Sequence, residues 1–131
     1  MLLNKDGVDA LTVVSISLSN DSDLVPATSE GVNVNTALGG ATTTVTAYRY
    51  GIVQNGATIG CEVFANNKDE ANKLASTDYS YSDKVFTLKT WKDNWNSVIA
   101  TFTYSDTNNE GKSVSVTKDF VMTKFLAEKG E

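Results

Sequence analysis

Histidine is absent from this chain, and cysteine, arginine and proline each occur once (Cys61, Arg49, Pro26). Without histidine there is no Ser-His-Asp triad, no Cys-His dyad and no His-ligated zinc or iron. A single thiol excludes an internal disulfide and any multi-cysteine metal or iron–sulfur site. One arginine among 11 basic residues, set against 16 acidic ones for a net charge of -5, argues against nucleic-acid binding, which needs a basic surface to neutralise phosphates. No apolar run approaches the ~20 residues that a membrane-spanning helix needs, so membrane insertion is not expected. The start, Met1 to Gly7, has neither a basic n-region nor a long apolar stretch, and no signal peptide is expected.

What the chain does contain is 16 Thr, 14 Val, 12 Ser and 12 Asn, against 9 Leu and 6 Glu. β-Branched residues suit a pleated surface, and Ser and Asn favour turns over helix interiors. The length of 131 residues suits one domain. Alternation marks the strands. Val14, Ile16 and Leu18 share a face, and Thr43, Val45 and Ala47 point away from Thr44, Thr46 and Tyr48. Ile59, Cys61, Val63 and Ala65 share a face, Phe86 and Leu88 point inward, and Val98, Ala100, Phe102 and Tyr104 form the cleanest run. The last strand runs from Ser113 to Lys124, with Val114 and Val116 inward and a bulge expected at Lys118 and Asp119 before Phe120 and Met122. Leu24-Val25-Pro26 belongs at a sheet edge, because proline donates no ladder hydrogen bond. Residues 28–40 read as a long connection. Ala71, Leu74 and Ala75 at i, i+3, i+4 predict at most one short helix near residues 68–75. The expectation is an all-β chain: an antiparallel β-sandwich of about seven strands over residues 11–125, with a flank at 1–10 and a tail at 126–131. An antiparallel barrel is the alternative.

Three groups could carry chemistry. Trp91 and Trp95, with Asp93 and Asn94 between them, could stack on a sugar ring and hydrogen-bond its hydroxyls; the plainer reading is that Trp91 plugs the bottom of the sandwich and Trp95 covers the turn. Asp106 to Gly111 copies the first half of a calcium loop but reaches Thr117, not Glu, at the twelfth position. A polar hairpin is expected there, and no metal or other cofactor. The paired acids (Asp69 with Glu70, Asp78 with Asp83) fall in polar turns, so no catalytic role is expected. Cys61, alternating with apolar residues, reads as a small buried hydrophobe.

The segments Ser17 to Pro26, Gly40 to Tyr48, Lys84 to Leu88, Val98 to Tyr104 and Ser115 to Lys124, in this order, resemble the immunoglobulin-like modules of bacteriophage and prophage tail and tail-fibre structural proteins. The likeness spans roughly residues 11–125. Lys5 to Ala10 and Glu128 to Glu131 look like remnants of collagen-like flanks, which often border such modules. The resemblance implies a sandwich, no catalytic residues, and a location in the virion. It also implies contacts with other virion proteins or a bacterial surface glycan, and a homotrimer where the neighbours are fibrous. A carbohydrate-binding module and a head-decoration protein are the alternatives.

Overall fold

The computed structural model describes residues 13–28, 30 and 41–126. Nine strands lie among them: β1 (Val14–Leu18), β2 (Ser22–Ala27), β3 (Thr42–Arg49), β4 (Ile52–Val53), β5 (Ile59–Ala65), β6 (Tyr79–Ser82), β7 (Val85–Leu88), β8 (Ser97–Thr107) and β9 (Ser113–Leu126). They form two sheets, ordered β1-β3-β7-β6 and β2-β9-β8-β5, with β4 added to β3. These are the A-B-E-D and A′-G-F-C orders of an immunoglobulin-like sandwich. Every pairing is antiparallel except that of β2 with β9, which is parallel. The parallel pair arises because the first strand is split. β1 stays in one sheet, and after Ser19 to Asp21 the chain crosses to the edge of the other, where Pro26 is tolerated.

The predicted alternation gives the two inner faces. Val14, Ile16, Val45, Ala47, Phe86 and Leu88 from one sheet meet Val63, Val98, Ala100, Phe102, Phe120 and Met122 from the other, and all are buried. Phe86 is the hub: its ring sits edge-on to Phe102 and to Phe120, with centroids 6.0 Å away in each case. Edge-to-face pairs add ~0.5–1.5 kcal/mol each beyond area burial.

Three expectations change. There are nine described strands rather than about seven, the two-residue β4 being unforeseen. The expected bulge is absent, since β8 and β9 pair without interruption from Ser97↔Thr123 to Thr107↔Ser113. Lys118 shares the inward register with Val116 and Phe120 yet is exposed. β2 joins β9 only from Val121 onward, so among the described residues Lys118 lies on a free edge, where an inward-pointing lysine discourages pairing with another chain. The short helix becomes two single 3-10 turns, Glu70–Asn72 and Ser76–Asp78, with Leu74 buried between them. The Leu74 N–H donates to the Val63 carbonyl, and Lys73 forms an isolated bridge with Phe64. Covering the open edge of β5 therefore overrides the weak local helical pattern. β9 is described as far as Leu126; residues 1–10 and 127–131 lie outside the described residues, as do all but Thr28 and Glu30 of the 28–40 connection.

Candidate functional site

The connection from β7 to β8 carries Trp91, Asp93, Asn94 and Trp95. The Trp91 indole N–H donates to the Trp95 carbonyl over 3.0 Å, and the rings meet edge-on at 6.2 Å. Exposure is 1% for Trp91 and 7% for Trp95. Both rings belong to the core cluster, so neither indole offers a face for a sugar to stack on. The Lys92 ammonium lies 5.8 Å from the Trp95 ring centroid. Asp93 and Asn94 are exposed, and the Asp93 carbonyl accepts from Lys124 Nζ at 2.6 Å. The four residues are neighbours, but the aromatic half of the expected platform faces inward, because a connection between two sheets needs bulky apolar side chains to close the end of the core.

The calcium-like segment is likewise occupied by the fold's own hydrogen bonds. Asp106 is the penultimate residue of β8, not the start of a loop. Its carboxylate accepts from the Tyr104 hydroxyl and from the Thr107 N–H, and Arg49 Nε lies 3.7 Å away. These hydrogen bonds, with the Arg49 charge adding to them, hold its pKa below the usual carboxylate range. Asn108 Oδ1 accepts from the Glu110 and Lys112 N–H groups, which spends it on closing the hairpin. Among the described residues no group of three acidic or thiol side chains is placed to hold a metal.

The paired acids are separated in role. Asp69 caps the first 3-10 turn through Ala71 N–H, and Glu70 lies 3.9 Å from Lys73. Asp83 and Lys84 both take left-handed φ, 53° and 64°, and form the tight turn of the β6–β7 hairpin. Cys61 is half-buried; desolvation, assisted by the neighbouring Glu62 charge, pushes its thiol up to about 12, which makes it a poor nucleophile at neutral pH.

The surface features that stand out lie at the two ends of the sandwich, and the sequence reading did not single them out. At one end Arg49 donates from Nε and Nη2 to the Thr107 carbonyl, and its guanidinium stacks 5.0 Å from the Tyr50 ring centroid. Tyr50 and Gly51 turn the chain with φ of 50° and 79°. That turn delivers Ile52, 67% exposed, and the exposed Val53 onto the outside of β3. At the other end Leu24 is 61% and Phe125 54% exposed, with Leu126 beside them. Leu24 pairs with Thr123 and Pro26 with Phe125, so Leu24, Pro26 and Phe125 share the outer face of the β2–β9 pair. The available signals were Gly51 and Gln54-Asn55-Gly56 bracketing an Ile-Val pair, and apolar residues out of phase with the core at 24 and 125. No known protein family matches the chain, and no curated protein is similar to it.

Proposed function

We propose that this chain is a non-enzymatic immunoglobulin-like structural or adhesive module of a phage virion, of the tail or fibre kind. The observation that carries the reading is the path of the chain through the sandwich. β1 begins beside Val13, whose carbonyl accepts from the Tyr50 N–H at the Arg49–Thr107 end, and β9 is described to Leu126 at the opposite end. The 14 residues of β9 span the length between, roughly 45 Å at ~3.3 Å per residue. Each end presents large apolar side chains to solvent, the kind of surface that marks a contact with another protein. An in-line module with a contact surface at each end acts by spacing and adhesion. The sequence resemblance to phage tail modules supplies the setting, and virion proteins are the partners it implies. With Trp91 and Trp95 buried, protein contacts fit the surface better than a glycan does.

The test is negative-stain microscopy of the source particle with a labelled antibody against this chain. Label at regular positions on the tail or fibres is expected. Particles that carry the chain nowhere would overturn the reading, and label confined to the head would favour the decoration alternative.

A further inference from the structure

The turn between β4 and β5 brings together the parts of a spontaneous modification site. Residues 54–57 form a turn closed by the Ala57 N–H donating to the Gln54 carbonyl over 3.1 Å. Asn55 and Gly56 occupy its two central positions, and both are exposed. Asn55-Gly56 is the single Asn-Gly step in the sequence. Neither the Asn55 side-chain amide nor the Gly56 N–H has a hydrogen-bond partner among the described residues. A Cβ built on Gly56 meets nothing within 4 Å, so the turn stands clear of its surroundings on that side.

We infer that Asn55 is a deamidation site in the folded protein, converting to aspartyl and isoaspartyl forms. The Gly56 backbone nitrogen, having lost its proton, attacks Asn55 Cγ. A Cγ–N bond forms, the Cγ–Nδ2 bond breaks, and the departing nitrogen takes up a proton and leaves as ammonia. Water then opens the resulting succinimide at one of its two carbonyls. The balance is amide plus water to carboxylate plus ammonium, with no oxidant or reductant. Glycine is what makes the first step accessible, since its backbone reaches conformations that a Cβ forbids.

The other described asparagines all differ in the first respect, and several differ in the second. All are followed by residues that carry a side chain. Several have the amide engaged: Asn66 Oδ1 accepts the Asn96 N–H, Asn67 Oδ1 accepts from Asp69 and Asn72, and Asn108 Oδ1 accepts from Glu110 and Lys112. Among the described residues, Asn55 is held only through its backbone carbonyl, which accepts from Lys84 Nζ at 2.8 Å. Conversion adds a negative charge beside that ammonium, at the same end as Tyr50, Ile52 and Val53. Its effect on a bound neighbour rests on the reading of that end as a contact surface; the chemistry does not.

The experiment is incubation of the folded protein at mildly alkaline pH, followed by peptide mapping with fragmentation that separates the two products. A gain of about 1 Da is expected first at Asn55, before any of the other eleven asparagines. An enzyme that methylates isoaspartyl residues should label the same peptide. Asn55→Gln should abolish the early product. Gly56→Ala, at a site with open space and no left-handed φ, should keep the fold and slow conversion several-fold. An intact Asn55 while another asparagine converts first would overturn the inference, as would an unchanged rate in Gly56→Ala.

Discussion

Thr43 Oγ1 bonds both backbone groups of Asn20: it donates to the carbonyl at 2.7 Å and accepts from the N–H at 3.1 Å. Thr43 is 1% exposed and sits on the inner face of β3. Asn20 lies where the chain leaves β1 and crosses to β2 in the other sheet. One buried hydroxyl thus satisfies two backbone groups that the crossing takes out of the ladder. Thr43→Val keeps the volume and removes both bonds. The expected cost is about 1–3 kcal/mol, the penalty for leaving buried polar groups unpaired, read as a lower denaturation midpoint in urea. Thr43→Ser should recover most of it.

Trp91 fills the end of the core and fixes Trp95 through the indole N–H. Trp91→Ala should cost about 3–5 kcal/mol, enough to leave little folded protein in a domain of ordinary stability. A soluble variant with an unshifted midpoint would show that the ring is not the plug described. Asn94→Ala, on an exposed residue of the same connection, should change stability by less than about 0.5 kcal/mol.

Tyr81 Oη is buried without a hydrogen-bond partner, while its ring packs 5.6 Å from Phe102. Tyr81→Phe keeps the ring and removes the orphaned hydroxyl, so stability should rise by about 1 kcal/mol. Desolvation raises Tyr81 and Tyr104 from 10.0 to about 12, and Cys61 from 9.0 to about 12. In each case the unfolded chain loses its proton at lower pH than the folded one. The contribution of these three groups is therefore undiminished below pH 9 and falls as pH rises from 9 towards 12, since the folded state there holds more protons. Melting temperatures measured across that range should fall, beginning near the ordinary thiol pKa. Cys61→Ala should remove the earliest part of the fall.

Ile52, Val53, Leu24 and Phe125 contribute little to the core because they are largely exposed. Ile52→Lys and Phe125→Ser should each change stability by less than about 0.5 kcal/mol. Both should reduce retention on a hydrophobic-interaction column, and both should reduce incorporation of the chain into particles. Normal incorporation of the double variant would count against the two ends as contact surfaces.

The strands with clean alternation were legible because period two depends only on which side chains reach water. β7 has the inward set that its sequence predicts, β3, β5 and β8 bury one of the two faces that their alternation separates, and Pro26 marked the edge strand. Leu74 was legible as apolar but not as the residue that covers the open edge of β5, because that contact spans eleven residues and competes with a local helical pattern. Lys118 broke the alternation of β9, yet the register continued through it; only the position of β2 shows that this part of β9 is a free edge. The candidate site divided in the same way. Trp91 and Trp95 were identifiable as a pair, but which way an indole faces is set by the gap between two sheets that meet far apart in sequence. The exposed ends were hidden for the opposite reason, since apolar residues at 24, 52 and 125 look like core until the sheets are assembled.

By itself the sequence determined the all-β class, the single thiol, the acidic balance and the faces of the main strands, because composition and periodicity are local. Tertiary structure alone decided the parallel β2–β9 pair, the burial of both tryptophans and the exposure of Ile52, Leu24 and Phe125. Each of those depends on which strands become neighbours, and that is fixed by packing two sheets over one core.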